Sequence, residues 1–152
     1  MTWGLPPPPF DFTRRAEKPC HSFFLRELWS AEKELLEPKH RCLIILDCFA
    51  LPDGPSGART RTWHGYDDRP IFGWAGVWRE GRDARGYAGF VVQTMPGVEP
   101  RRTVPAIVEP EEYETWLTGE TGPASRIVSR LHSGEELYCE PTEQPWGADT
   151  TP

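Results

Sequence analysis

Proline and glycine interrupt the backbone of this chain at frequent intervals. The sequence of 152 residues contains 17 Pro and 14 Gly, so roughly one residue in five either fixes or frees the backbone. Seven Trp and seven Phe are nevertheless too many for a solvated, disordered chain. No apolar run approaches the ~18 residues that a membrane span requires. We therefore expect one domain built from short elements.

Short apolar runs separated by turn residues predict an α+β fold rich in strands. Strands are expected at 41–49, 60–63, 71–78, 87–94 and 106–108. The first of these is apolar enough to be a central strand buried on both faces. Helices are expected at about 23–37 with Ser22 as N-cap, from Pro110 to just before Gly119, and at about 124–131.

The hairpin order of these strands predicts an antiparallel, barrel-like sheet with the helices inserted between its strands. No domain boundary is visible, so residues 1–140 are expected to form a single domain. Residues 141–152 contain three Pro and few apolar residues, and we expect them to be a disordered tail.

Charge is distributed unequally along the chain, whose net charge is -6. Residues 1–105 carry fifteen Lys and Arg against thirteen Asp and Glu, whereas residues 106–152 carry two against ten. A basic patch for nucleic acid is compatible with the first part, although the overall charge gives it no support. The acidic last third is compatible with a surface for another protein.

The sequence carries no recognisable metal or cofactor motif. Its four cysteines and four histidines include no Cys-x-x-Cys pair and no zinc-type spacing. Phosphate-cradling glycine loops are also absent. We expect no metal and no cofactor. No signal peptide opens the chain, so we expect a cytoplasmic protein.

Two arginine pairs lie close to aromatic or strand-forming residues. Arg14 and Arg15 follow two phenylalanines, and Arg101 and Arg102 precede a short strand. Aromatic rings that stack on bases, together with guanidinium groups that hold phosphates, are what a single-stranded nucleic-acid site needs. Solvated arginine pairs are also common on surfaces, so this pattern alone leaves both interpretations open.

Six segments in one order resemble the SOS-response-associated peptidase (SRAP) family. The pattern of that family runs WGL-P, NARxET, RCLVPADGFYEW, PxxFAGLW, FxIxT and HDRMPVIL with a WL helix. The matching segments are Trp3–Pro6, Thr13–Lys18, Arg41–Phe49, Arg69–Trp78, Phe90–Thr94, and Val104–Val108 with Trp116-Leu117. Together they span about residues 3–118 at similar spacing.

The resemblance implies a single α+β domain with a barrel-like antiparallel core. It implies binding of single-stranded DNA at abasic sites in the response to DNA damage. In the family the nucleophile is a Cys directly after the initiator Met, whose amine and thiol condense with the sugar aldehyde into a thiazolidine. The Asn of NARxET, the Glu of FYEW and the His of HDRMP assist that covalent reaction.

The chain departs from the family at each catalytic position that aligns. Thr13 replaces the Asn, Leu51 replaces the Glu and Arg101 replaces the His. A Leu cannot transfer a proton, and an Arg is a poor general base because its pKa is above ~12. No cysteine stands at the amino terminus, and the strands that precede WGL in the family are missing here. We therefore expect the covalent and peptidase activities to be lost.

The side chains that the resemblance places against DNA are better retained. Trp3 matches the WGL tryptophan, Arg15 and Glu17 match residues of NARxET, and Arg101 with Arg102 could hold phosphates. The first interpretation is thus an N-terminally incomplete SRAP-like protein that binds single-stranded DNA. A second is an active abasic-site crosslinking protein whose true start lies upstream of Met1. A third, of another class, is a non-enzymatic protein-interaction module.

Overall fold

The computed structural model describes residues 1–6, 19–28, 30–81, 85–97, 100–133 and 136–147. Within these ranges the fold is α+β and mostly strands, as the sequence predicts. The strands are β1 (Thr2–Trp3), β2 (Ser22–Phe23), β3 (Arg41–Leu46), β4 (Phe49–Asp53), β5 (Thr60–Gly65), β6 (Phe72–Glu80), β7 (Arg85–Gln93), β8 (Thr103–Pro105), β9 (Ile107–Val108) and β10 (Tyr138–Pro145). They form two open sheets, so the barrel-like closure is not confirmed.

The larger sheet is built around the antiparallel hairpin of β6 and β7. The antiparallel strand β3 lies beside β6, while β1 and β2 run parallel to β7. The segment that contains β8 and β9 pairs with β7 through its first half and with β6 through its second. The two parallel pairs are a departure from the predicted antiparallel sheet.

The smaller sheet has the antiparallel order β10-β5-β4. Its β4–β5 turn contains Gly54 and Gly57, whose φ angles of 87° and 89° lie in the region that favours glycine. The predicted disordered tail is wrong for residues 141–145, because β10 pairs with β5. Backbone hydrogen bonds need no apolar side chains, and prolines are tolerated in an edge strand. Residues 148–152 lie outside the described residues.

The helix predicted over 23–37 is replaced by a short strand and three 3-10 segments. Phe23 belongs to β2, whose backbone pairs with β7 beside Phe90, so Ser22 is not a helix cap. The 3-10 segments are Leu25–Glu27, Ser30–Leu36 and Pro38–His40. Glu27 accepts a hydrogen bond from the Phe24 N–H at 2.6 Å, which closes the first segment. The spacing of apolar residues within 23–37 is a local pattern, so it could not show that Phe23 pairs with the sheet instead of joining a helix.

The strand at 41–46 lies at the edge of the larger sheet instead of its centre. Ile45 is 61% exposed, so the prediction of burial on both faces is wrong. Helix α1 (Tyr113–Thr118) instead covers one end of β3. There the Arg41 guanidinium donates to the carbonyls of Thr115, at 3.3 Å, and Gly119. An apolar sequence run therefore marked an edge strand that a helix partly shields.

The main apolar core lies between the larger sheet and the helical segments. Helix α2 (Thr121–Ile127) follows α1 closely, near its predicted position. Trp116 and Phe90 are fully buried at the centre of this core, and Phe23 packs against Phe90. The core thereby fixes β6 and β7, which carry the surface described below. No helix in the described ranges has the length and apolar character needed to cross a membrane.

Candidate functional site

Cross-strand register places a row of aromatic rings on one face of the larger sheet. Trp3 of β1 lies opposite Tyr87 of β7, and Tyr87 lies opposite Trp78 of β6. His40, just before β3, continues the row with its ring centroid 5.8 Å from that of Trp78. Neighbouring strands are ~4.8 Å apart, so these four positions span ~14 Å. We call Trp3, Tyr87, Trp78 and His40 the aromatic row.

Trp3 is the most accessible tryptophan of this row and is held by other rings. Its centroid lies 5.1 Å from Tyr87, 5.4 Å from Trp74 and 5.7 Å from His21. Trp74 is buried beneath it and donates its indole N–H to the Phe90 carbonyl at 2.5 Å. Trp3 remains 43% exposed. A ring oriented in this way can stack on a flat ligand with little loss of side-chain freedom.

Cationic side chains accompany the row at its surface. The Arg85 guanidinium lies 5.2 Å from the Trp78 ring and pairs with Glu80 at 3.0 Å. Near the other end, Lys39 pairs with Glu37 at 2.9 Å. All four charged side chains are more than half exposed, and exposed ion pairs of this kind are weak. Both cations can therefore exchange their carboxylates for the phosphates of a ligand.

Three of the sequence-predicted site residues cannot be placed. Thr13, Arg15 and Glu17 lie outside the described residues. The described residues on either side of this segment meet beside β1, where the Leu5 N–H donates to the Cys20 carbonyl at 2.6 Å.

The other end of β7 carries a polar cluster around Arg102. Its guanidinium lies 3.4 Å from the His64 Nε2 atom and 3.8 Å from an Asp53 carboxylate oxygen. Thr62 donates to the same Asp53 oxygen at 3.4 Å. The Arg102 N–H donates to the Thr94 hydroxyl at 3.0 Å, just past β7. We call Arg102, Asp53, Thr62, His64 and Thr94 the Arg102 cluster.

The histidine of the Arg102 cluster is held neutral. Burial lowers the pKa of His64, and the nearby Arg102 charge lowers it further. His64 is only 6% exposed, and its ring stacks on Phe49 with centroids 5.6 Å apart. A neutral imidazole can accept a hydrogen bond from the guanidinium at Nε2, so each group gains a partner.

Two of the aligned catalytic positions lie at the Arg102 cluster. Leu51 is opposite Thr62 and two residues before Asp53 on β4, so its side chain shares their face of the sheet. It packs against the apolar core and supplies no group for proton transfer. Arg101 is exposed beside Arg102. Trp3 is not part of this cluster, because Tyr87 and Thr94 are separated along β7 by ~20 Å.

Sequence reasoning missed most partners of both groups. Trp74, Gly76 and Trp78 follow one another at two-residue spacing along one strand. This spacing by itself predicts that both tryptophans lie on one face of the sheet. Nothing in the sequence pairs Asp53 or His64 with Arg102, because that contact depends on how the two sheets meet. Within the described ranges no group of three His, Cys, Asp or Glu side chains could hold a metal ion.

Comparison with known proteins gives the fold alone. No family model and no curated protein matches the chain. A structural-genomics structure from Bordetella bronchiseptica superposes with a TM-score of 0.71 at 18% identity, covering 92% of this chain and 74% of the other. A structure from Bacteroides thetaiotaomicron gives 0.67 at 14% identity, covering 91% and 66%. A phage-related protein from Bordetella bronchiseptica gives 0.66 at 19%, covering 93% and 70%.

Proposed function

We propose that the protein binds single-stranded DNA without forming a covalent bond to it. In this proposal it is a SRAP-like protein that binds abasic DNA in the cytoplasm during the response to DNA damage. The observation that carries this proposal is the aromatic row, in which Trp3 is both oriented and accessible. Bases of any sequence stack on such rings, Arg85 lies beside the Trp78 ring where it can contact a phosphate, and Lys39 directly precedes His40 of the row.

The SRAP-like part of the proposal, including its barrel-like core, rests on the order of sequence segments and on where two of them meet. The segment of Leu51 and the segment of Arg102 occupy the positions of the family's Glu and His motifs. Both contribute to one polar cluster between the sheets. Two separate motifs that converge at one place support a common architecture. The side chains themselves no longer support the family's acid–base chemistry.

The cysteines also favour non-covalent binding. Thiolate is the nucleophilic form of cysteine, so a raised pKa suppresses its reactivity at neutral pH. Burial raises the pKa of Cys42 to about 11 and also raises the pKa of Cys20 and Cys48. None of these three thiols is therefore activated for attack on a sugar aldehyde.

The decisive variant is Trp3→Ala, tested by fluorescence anisotropy with a labelled oligothymidylate. Loss of one stacked base costs ~1–3 kcal/mol, so the dissociation constant is expected to rise about 5- to 150-fold. The matched control is Trp146→Ala, because Trp146 is 40% exposed but lies beyond β10, away from the row. Its removal is expected to leave the affinity unchanged. Equal effects of the two variants would show that the row is not the binding site.

Covalent chemistry is tested separately with single-stranded DNA that contains an abasic site. After incubation and a denaturing gel, we expect no protein–DNA adduct, because position 51 is a leucine and burial raises the pKa of Cys20, Cys42 and Cys48. Native binding to the same DNA is expected to persist and to weaken with salt. A stable adduct would instead favour an active crosslinking protein.

A further inference from the structure

A cavity lies near the end of β7, away from the aromatic row. Its volume is about 200 Å³. Tyr87 is the residue of the row that lies on β7. Val92 and Met95 of the cavity lie ~17–27 Å from Tyr87 along the strand direction. A ligand of this cavity would therefore not touch the proposed DNA surface. The two sites can be tested independently.

The floor of the cavity is apolar and buried. Four buried side chains form it, and each is at most 6% exposed: Val92, Ala106, Ile107 and Ile127. Met95 and Leu131 extend the apolar surface to the rim, where both are more than one third exposed. An apolar body about the size of a benzene ring would replace weakly bound water over this floor and gain hydrophobic free energy.

One wall of the cavity carries a fixed polar pair. The Tyr66 hydroxyl lies 3.2 Å from the His132 Nε2 atom, and Tyr66 is 4% exposed. Backbone bonds hold His132 in place, since its N–H donates to the Gln93 carbonyl at 3.0 Å and its carbonyl accepts from the Met95 N–H at 2.9 Å. Burial lowers the pKa of His132 and raises the pKa of Tyr66 to about 12. At neutral pH this wall is therefore uncharged and offers hydrogen bonds.

The rim of the cavity has more carboxylates than cations. Glu109 and Glu136 line it, and both share the single guanidinium of Arg69. The other cation at the rim, Arg130, is held by both carboxylate oxygens of Glu112, at 2.9 and 2.7 Å. One arginine cannot neutralise two carboxylates, so the mouth of the cavity favours a positive group.

We propose that this cavity binds a small organic cation, a primary amine attached to a compact apolar body. The apolar body lies on the floor of Val92, Ala106 and Ile127, and the ammonium group points to the rim, where Glu109 and Glu136 accept its hydrogen bonds. Charge complementarity selects the amine over a carboxylate of the same shape, and the apolar floor selects it over ammonium itself.

The experiment uses three probes of one shape: benzylamine, benzyl alcohol and benzoate. Each is titrated into the full-length protein at pH 7 while the methyl signals of Val92, Ile107 and Ile127 are followed by NMR. Benzylamine is expected to shift these signals saturably and more tightly than benzyl alcohol, and benzoate is expected not to bind. Absence of saturable benzylamine shifts, or binding of benzoate at equal strength, would overturn the proposal.

A charge-neutralising pair of variants locates the ammonium group. Glu136→Gln is expected to weaken the binding of benzylamine about two- to fivefold, a modest effect because the side chain is 67% exposed at the rim. The affinity for benzyl alcohol is expected to stay unchanged. The matched control is Glu143→Gln, an exposed carboxylate on β10 that does not line the cavity. Equal weakening by both variants would show a general charge effect and contradict the assignment.

Discussion

The two ends of β7 present chemically opposite surfaces. At one end the aromatic row exposes Trp3 and keeps its cations in weak, exposed ion pairs. At the other end, Arg102 is surrounded by partners from the smaller sheet, and His64 is buried and neutral. The first surface can exchange its contacts for those of a ligand at little cost. The second is a largely satisfied polar network whose opening would leave buried groups unpaired.

The aligned positions Leu51 and Arg101 belong to the second of these surfaces and not to the proposed DNA surface. The Arg102 cluster occupies the place where the resemblance puts acid–base chemistry, yet its hydrogen bonds serve the contact between the sheets. The aromatic row lies elsewhere, and its histidine, His40, has its Nδ1 atom 3.1 Å from the Trp78 carbonyl oxygen. The proposed DNA surface and the Arg102 cluster are therefore separate, and each region can be altered on its own.

The largest expected effect comes from the support of the aromatic row. A Cβ atom at Gly89 would overlap the Trp74 indole, so Gly89→Ala must displace the ring on which Trp3 rests. We expect a loss of about 3 kcal/mol in the free energy of unfolding, measured by urea denaturation. Gly122→Ala in α2 is the control, since its Cβ would contact nothing and no loss is expected. An undiminished stability of Gly89→Ala would show that Trp74 is not fixed.

Arg102→Ala tests whether the opposite end of β7 is structural. Asp53 and His64 would lose their shared donor, and we expect a loss of about 1–2 kcal/mol in the free energy of unfolding. Arg101→Ala is the matched control, because Arg101 is exposed and its removal should leave stability unchanged. If Arg102→Ala were fully stable but bound DNA weakly, Arg102 would belong to a DNA-binding surface and not to a structural network.

The pH dependence of stability gives a smaller effect. Because burial and Arg102 lower the pKa of folded His64, the unfolded chain takes up a proton first, near its ordinary pKa of about 6.5. The stabilising contribution of the neutral ring is therefore present above that pH and decreases as the pH falls below it. His64→Gln should flatten the stability profile between about pH 7 and 5. A steeper profile in this variant would contradict the assignment. His132, whose pKa is also lowered by burial, contributes to the slope in the same direction.

The smallest effect is expected from a single phosphate contact at the row. Arg85→Ala should reduce the slope of the logarithm of affinity against the logarithm of salt by about 0.7. Protein stability should hardly change, because the pair with Glu80 is exposed. Arg126→Ala, which removes a cation from α2, is the control and should keep the original slope. Equal slopes for all three proteins would remove Arg85 from the DNA surface.

The sequence predicted the long strands better than the region before them. The β6–β7 hairpin follows from two apolar runs joined by a polar loop, and α1 follows from its proline start and glycine end. The helix predicted over 23–37 is wrong because Phe23 joins the sheet beside Phe90. No local sequence pattern contains that contact. For the same reason the sequence indicated Trp3 and Arg102 as single candidate residues. It did not indicate the side chains that surround them in the structure.

The sequence by itself determined the class of fold, the short elements and the residue types at positions 13, 51 and 101, none of which is an Asn, Glu or His. These properties depend on residue type and local spacing, which the chain carries directly. Only the tertiary structure decided that Trp3, Tyr87 and Trp78 form one row and that Leu51 and Arg102 meet. Strand register and the packing of one sheet on another join residues far apart in the chain. Such contacts arise from the whole core, so no segment of sequence specifies them alone.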